Sequence, residues 1–189
     1  QCADAPLTLY YKGALGATER PRLAVVGTRK ASERVKKKVE AWIGELAGEG
    51  HRPEIVSGLA YGIDIAAHAA ALHNGLSTIA VLGHGLHTVY PAPHRHYAEK
   101  IADNGGALVS EFPTQAAIYP QNFLQRNRIV AGMCEATLVA ESPVKGGAMS
   151  TARLASSYDR EVMAIPGRPE DTGSEGCNWL IKQNIAALV

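Results

Sequence analysis

The sequence is short of the features that mark secreted, membrane and metal-binding proteins. Its three cysteines, Cys2, Cys134 and Cys177, are an odd number without a CxxC pair, so neither a disulfide framework nor a zinc site is predicted. It contains no run of about 18 apolar residues that could span a bilayer, and its first residues lack the pattern of a signal peptide. We therefore expect a cytoplasmic protein without a metal or a membrane partner.

An excess of charge of one sign is also missing. The 19 Lys and Arg residues face 18 Asp and Glu residues, which leaves a net charge of +1. Binding to a polyanion would therefore require a local cationic patch. The length of 189 residues suits one domain with a sizeable core. We predict a single domain over residues 1–189, with about 1–20 as an N-terminal lead-in.

What the chain does contain is a regular alternation of short apolar runs and longer amphipathic stretches. The apolar runs predict buried strands at 23–27, 54–57, 78–83, 107–111, 137–141 and 162–166. The amphipathic stretches predict helices at 31–49, 62–74, 94–104, 123–133, 148–157 and 176–184. Strands joined by helical crossovers form an α/β fold with a doubly wound, mostly parallel sheet flanked by helices. Ligands of such sheets bind at the carboxyl ends of the strands.

Three loops at those carboxyl ends have the composition of a phosphate-binding site. They are Gly27-Thr28-Arg29, Ser57-Gly58 and Lys145-Gly146-Gly147. Glycines let the backbone approach a ligand closely, and N–H groups near a helix start, together with a cation, attract phosphate. A fourth glycine-containing loop, at 83–85, lacks the third glycine of a dinucleotide fingerprint and precedes no predicted helix. We therefore expect no bound cofactor.

The stretch from Phe123 to Arg128 places an aromatic ring, two guanidinium groups and an amide at the start of a predicted helix. Such groups suit bases and phosphates. The alternative is that Phe123 enters the core and Arg126 pairs with a carboxylate. Asp64 and His68, four residues apart, are open to two interpretations as well. They could be metal ligands or an acid/base pair, or Asp64 could stabilise a helix start with His68 packed behind it.

These segments, in this order, resemble the DprA/Smf (DNA-processing) family. The matching motifs are VVGTR at 25–29, SGLAYGIDIAAHAAAL at 57–72, IAVLGHGLHTVYP at 79–91, SEFP at 110–113, FLQRNRIVAGM at 123–133, KGGAMSTARLA at 145–155, IPG at 165–167 and EGCNWLI at 175–181. Each motif alone is weak, but together they cover nearly the whole chain. Many relatives carry a small helical domain before this core and a winged-helix-like domain after it, and neither is expected within these residues.

The resemblance implies an extended Rossmann-like domain that binds single-stranded DNA during natural transformation and loads the RecA recombinase onto it, without catalysing a reaction. By position, the DNA backbone would contact Arg29, Ser57, Gly58, Arg126, Lys145 and Gly146, and Phe123 would stack on a base. The same segments contain Asn127, Arg128 and Gly147, for which structural and DNA-contacting roles both stay open. Arg29 and Arg126 are expected to contribute to binding and little to the core.

Two cations that many relatives carry are replaced here by Ala92 and Pro120. Arg95, or His94 and His96 when protonated, could substitute for the first of them. These differences bear on the strength and the salt dependence of DNA binding.

An apolar C-terminal series predicts a homodimer interface, in agreement with the resemblance. Its members are Trp179, Leu180, Ile181, Ile185 and Leu188. An aromatic anchor with aliphatic neighbours suits the centre of an interface. The alternative is that this series packs on the sheet of its own domain.

Two other classes of function remain as alternatives. A nucleotide-processing phosphoribohydrolase would use a similar fold and phosphate-binding loops, with Glu111 or Glu141 as the acid, although the proline-led PGGxGT pattern of such enzymes is missing. A protein-interaction scaffold is the other alternative.

Overall fold

The structure, a computed structural model, describes residues 2–15 and 20–189. In chain order its main elements are β1 (Tyr10–Gly13), β2 (Arg22–Val26), α1 (Glu33–Gly48), β3 (Glu54–Ser57), α2 (Ile63–His73), β4 (Thr78–Val81), α3 (Arg95–Asp103), β5 (Ala107–Ser110), α4 (Pro120–Gly132), β6 (Ala136–Val139), α5 (Gly147–Ser157), β7 (Glu161–Ala164), α6 (Glu175–Lys182) and β8 (Ala187–Leu188). Short 3-10 helices at Ala92–His94 and Thr172–Ser174 precede α3 and α6.

The strands form one sheet in the order β1-β5-β4-β3-β2-β6-β7-β8. Every pairing is parallel except that of β1, which runs antiparallel to β5. From β2 the chain first adds β3, β4 and β5 on one side and then returns to place β6 on the other side of β2. The carboxyl ends of β2 and β6 therefore mark the topological switch point, where ligands of such sheets bind.

Helices cover both faces of the sheet because neighbouring residues of a buried strand point in opposite directions. Ile55 belongs to a buried cluster with Ile43 of α1 on one face. The next residue, Val56, belongs to a cluster on the other face with Val130 of α4, and this cluster also includes residues of α5 and α6. A third cluster, around Ile101 of α3, fills the space beside α2.

The predicted α/β class and the doubly wound, mostly parallel sheet are confirmed, and each of the six predicted strands and helices has its counterpart. Two edge strands were not predicted. All four residues of β1 are exposed, and β8 has only two residues, so neither carries the apolar run of a buried strand. The lead-in predicted at about 1–20 contains β1, and its residues 1 and 16–19 lie outside the described residues. Among the described helices, none is both long and apolar enough to cross a membrane.

Candidate functional site

A pocket of about 370 Å³ opens at the switch point. The loops after β2, β3 and β6, one side of α4 and the first two turns of α5 line it. Of the residues predicted to bind DNA, the structure brings seven together in its lining: Arg29, Gly58, Phe123, Arg126, Asn127, Gly146 and Gly147. The lining also includes Thr28, Lys30, Asp64, Leu124 and Thr151, which the sequence analysis did not assign to the site.

The outer part of this lining, which we call the rim, consists of Arg29, Lys30, Asn127 and Gly147. The side chains of Arg29 and Lys30 are exposed in the loop that leads from β2 to α1. On the opposite side, the Asn127 amide donates a hydrogen bond to the Gly147 carbonyl at 3.4 Å and so joins α4 to α5. The rim thus combines two exposed cations with a hydrogen-bonded polar group.

The inner part of the lining, which we call the floor, consists of Gly58, Asp64 and Arg126. Only 4% of Arg126 is exposed, although arginine is rarely buried. Its Nη1 donates to the Val81 carbonyl at 2.6 Å, and among the described residues its Nε has no hydrogen-bond partner. Gly58 makes this position possible, because a Cβ there would lie 1.8 Å from Nη1 of Arg126.

Asp64 supplies the opposite charge of the floor. Its Oδ2 accepts hydrogen bonds from the backbone N–H groups of Gly58, at 3.2 Å, and of Ala60, at 3.3 Å. Burial raises the pKa of Asp64, and the nearby guanidinium of Arg126 opposes that rise. Burial likewise lowers the pKa of Arg126, and Asp64 opposes that change. A second anion in the pocket would further stabilise the charged form of this desolvated arginine.

The amino end of α5 faces the pocket. Gly146 is the N-cap residue, and no side chain caps the helix. The first N–H groups of a helix have no partner within it, and they carry the positive end of the helix dipole. Gly147, Ala148 and Thr151 line the same pocket as Arg126.

The rings of Phe123 and Tyr90 form an aromatic pair next to Arg29. The Cζ atom of Arg29 lies 5.6 Å from the centre of the Phe123 ring, within the range of a cation–π contact. The Tyr90 ring lies 5.7 Å from the Phe123 ring, at an interplanar angle of 44°. Phe123 is half-buried, so it does not enter the core as the alternative interpretation proposed.

Three of the predicted residues do not line the pocket. The Ser57 side chain is fully buried, and its hydroxyl donates to the Val25 carbonyl at 2.6 Å. The Arg128 guanidinium forms two hydrogen bonds with Glu111, at 3.1 and 2.6 Å. Lys145 is exposed in the loop before α5 but lies outside the lining.

The positions of the two replaced cations are both exposed. Ala92 begins the 3-10 helix before α3, and Pro120 is the first residue of α4. His94 does not substitute for the first cation, because it is buried and its Nδ1 hydrogen-bonds with the Leu59 carbonyl at 2.8 Å. Arg95 and His96 remain exposed on α3.

The structure favours the packing interpretation of Asp64 and His68. His68 is fully buried, its Nδ1 lies 2.7 Å from the Thr78 hydroxyl, and burial lowers its pKa to about 3. Asp64 accepts hydrogen bonds from backbone N–H groups of the β3–α2 loop, as described above. Within residues 2–15 and 20–189, no three His, Cys, Asp or Glu side chains are grouped as a metal site would need.

Both carboxylates considered for an enzyme have protein partners elsewhere. Glu111 pairs with Arg128. Glu141 is buried, and its Oε2 accepts a hydrogen bond at 2.7 Å from the backbone N–H of Ser32, the residue that caps α1. Neither carboxylate lines the pocket.

The C-terminal residues predicted for a dimer interface differ in exposure. Leu180 is fully buried in the cluster under α6, so its assignment to an interface is corrected: it has no surface to offer. Trp179 and Ile181 are half-buried against the same cluster, and Arg153 lies 5.6 Å from the Trp179 ring. Leu188, in the edge strand β8, is 64% exposed.

The sheet order and the cationic pocket at its switch point define a Rossmann-like α/β domain with an anion-attracting site. Sequence comparison narrows this class. The model of the family described as DNA recombination-mediator protein A matches residues 1–189, and the chain belongs to this family.

Among the relatives, protein Smf of Escherichia coli is 45% identical over 95% of this chain and 48% of its own length. The DNA processing protein DprA of Streptococcus pneumoniae is 43% identical over 95% of this chain and 62% of its own length. The chain thus spans less than two thirds of each of these relatives.

Two solved structures support the fold. DprA of Streptococcus pneumoniae superposes on the whole chain with a TM-score of 0.91 at 42% identity, over 65% of its own chain. DNA processing protein A of Helicobacter pylori, described for its single-stranded DNA binding mode, gives a TM-score of 0.89 at 31% identity, over 99% of this chain and 84% of its own. A molybdenum cofactor carrier protein of Chlamydomonas reinhardtii shares the fold alone, at 16% identity and a TM-score of 0.58.

Proposed function

We propose that this chain binds single-stranded DNA through the pocket at its switch point. The observation that carries the proposal is the buried guanidinium of Arg126, which contacts Gly58 and lines the same pocket as the amino end of α5. A desolvated cation next to unpaired N–H groups is a site for an anion such as a phosphate. The described DNA-binding mode of the Helicobacter pylori relative supports the choice of ligand.

In this proposal one backbone phosphate enters between the rim and the floor. The exposed guanidinium of Arg29 contacts it from outside, and the N–H groups of α5 and Arg126 attract it from inside. Phe123 then lies where a base attached to this phosphate can contact a ring. Phosphate contacts carry no sequence information and stacking tolerates every base, so binding is expected to be unspecific for sequence.

The preference for single strands follows from the same groups. A base can contact the aromatic pair only when it is unpaired and turned out of a helical stack. Duplex DNA exposes its phosphates, but its bases stay stacked inside the helix. It would therefore bind without the favourable contact between a base and the aromatic pair.

We infer that the chain acts by binding alone and catalyses no reaction. Glu111 and Glu141 are both held by protein groups away from the pocket, which supports this inference. The description of the family as a recombination mediator supports the further proposal that the bound strand is protected and passed to RecA, in natural transformation where the organism takes up DNA. A reducing cytoplasm is the proposed compartment, in keeping with three free cysteines.

We also propose a homodimer that pairs through the C-terminal surface, with Trp179, Ile181 and Leu188 as its apolar members. Two copies would place two pockets on one assembly, so a long strand could engage both. The substitution Ile181→Glu should yield a folded monomer that binds short oligonucleotides normally and long ones more weakly. Light scattering and titration check this, and an unmodified chain that is monomeric at tens of micromolar would contradict the proposal.

The experiment that tests DNA binding is a titration of labelled single-stranded oligonucleotide, in competition with the corresponding duplex and at two salt concentrations. We expect the single strand to win the competition and its affinity to fall as salt rises, because bound phosphates release counterions. Equal affinity for duplex and single strand would overturn the proposal.

A further inference from the structure

The Phe123 ring is enclosed by protein groups on several sides. Arg29 lies over it, the Tyr90 ring touches it, and the His84 ring lies 6.5 Å away. The backbone at Gly83 approaches so closely that a Cβ there would lie 2.9 Å from Cδ1 of Phe123. Phe123 therefore holds Arg29 and Tyr90 in place at least as much as it offers a free surface.

Tyr90 differs from Phe123 in its exposure. It is 43% exposed in the loop after β4, at the same carboxyl edge of the sheet as the pocket. The centres of the two rings are 5.7 Å apart. A base inserted between two rings needs about 7 Å, which is two contacts of about 3.5 Å each. Because the rings are closer than that, a base has to use the outer face of Tyr90.

We propose that Tyr90 stacks on a second base of the bound strand, next to the nucleotide whose phosphate lies in the pocket. This inference rests on the proposed function and extends it, because it adds a nucleobase site outside the pocket lining. It also assigns different roles to the two rings. Phe123 positions the guanidinium that meets the phosphate, whereas Tyr90 contacts a base only.

The division predicts different behaviour toward DNA that has no bases. We compare a short oligothymidylate with an abasic oligonucleotide of the same length, each titrated against the 189-residue chain and its variants. Tyr90→Leu should weaken binding of the oligothymidylate about 5- to 150-fold, the range for loss of one stacked base, and leave the abasic affinity unchanged. Phe123→Leu should weaken both, because Arg29 loses its support.

Two further variants serve as controls. Tyr90→Phe keeps the ring and should keep the affinity for the oligothymidylate. Tyr11→Leu removes a tyrosine that is 57% exposed on the edge strand β1 and should change neither affinity. Quenching of a 2-aminopurine base in the oligonucleotide supplies a second readout, and Tyr90→Leu should reduce it. Because the ring is exposed in a loop, urea unfolding should be the same for Tyr90→Leu and the unmodified chain.

Each other outcome has a clear meaning. An equal loss on both oligonucleotides, or a loss with Tyr90→Phe as large as with Tyr90→Leu, would overturn the stacking role of Tyr90. If the unmodified chain and its Tyr90→Leu variant bind the oligothymidylate equally well, the inference about Tyr90 is overturned and the proposed function remains. An unmodified chain that binds no single strand overturns both.

Discussion

The floor and the rim of the pocket each contain an arginine, but the arginine of the floor is buried whereas that of the rim is exposed. Arg126 of the floor is buried, donates to a backbone carbonyl and has its counter-charge, Asp64, inside the protein. Arg29 of the rim is exposed, and its guanidinium lies over an aromatic ring. A group with internal partners contributes to folding as well as to binding, whereas an exposed group can be removed at little cost to the fold.

The comparison shows that the type of a residue does not settle its role in this site. Arg128 is two residues from Arg126 on the same helix, yet it pairs with Glu111 outside the pocket. The expectation that Arg29 and Arg126 would both contribute little to the core therefore holds for Arg29 and is wrong for Arg126.

The largest effect that would sharpen this contrast is expected from Arg126→Met. It removes the charged donor of the Val81 carbonyl and the positive charge that opposes the rise in the pKa of Asp64, and loss of a buried, charged hydrogen-bond partner costs about 3 kcal/mol. The free energy of unfolding, measured in urea, should fall by that amount, and DNA binding should be lost as well. If the Arg126→Met variant is as stable as the unmodified chain, the floor arginine contributes no more to folding than the rim arginine does.

A pH effect of intermediate size is expected behind the floor, at His68. Its pKa is about 3 in the folded protein against 6.5 for the free side chain. As the pH falls below 6.5 the unfolded chain takes up a proton that the folded one refuses, so stability present above pH 6.5 is lost toward pH 3. By pH 5 the loss amounts to about 2 kcal/mol.

His68→Asn provides the matched control for this pH effect. Asparagine keeps a polar partner for the Thr78 hydroxyl but takes up no proton. Urea unfolding at pH 7 and pH 5 should show a smaller loss in the variant, and the difference isolates His68 because the other histidines titrate in both proteins. Parallel losses would mean that His68 is protonated in the folded protein.

The smallest of the three effects is expected at the rim. Arg29→Met should weaken single-strand binding about tenfold, because one charge-assisted contact contributes about 1.5 kcal/mol. The slope of log affinity against log salt should decrease by about one. Urea unfolding should not change, since the side chain is exposed. Lys37→Met, on the exposed side of α1, is the control and should leave binding intact; an equal loss there would place the DNA elsewhere.

The central part of the fold could be predicted because its strands are buried on both faces and read as continuous apolar runs. The edges could not. Tyr10 and Tyr11 in β1 are exposed, and only the pairing with β5 makes this segment a strand. The assignment of Leu180 to an interface was wrong for a related reason: periodicity identifies Leu180 as a residue that must be covered, but it does not say whether its own chain or a second copy covers it.

For the site, the sequence identified loops that the structure brings together at one pocket, but not the depth of each side chain. Gly58 and Arg126 are 68 positions apart, and only the packed structure shows that they touch. Lys30 and Thr28 could have been included, because they flank Arg29 in the same loop. Arg128 and Ser57 have side chains of the expected chemistry, and their burial or pairing arises from tertiary contacts that no local pattern encodes.

The contact between Gly58 and Arg126 also has an evolutionary consequence. A Cβ at position 58 and a guanidinium at position 126 cannot occupy the same space, so the two positions are free to change only in a certain order. A lineage that keeps the guanidinium in its present place must keep the glycine, and a larger residue at 58 requires that the arginine first moves or is replaced by a smaller residue. Such a path passes through an ancestor whose pocket lacks its buried charge. We therefore expect homologous sequences with the arginine to have the glycine as well, and sequences with a larger residue at 58 to have a smaller one at 126.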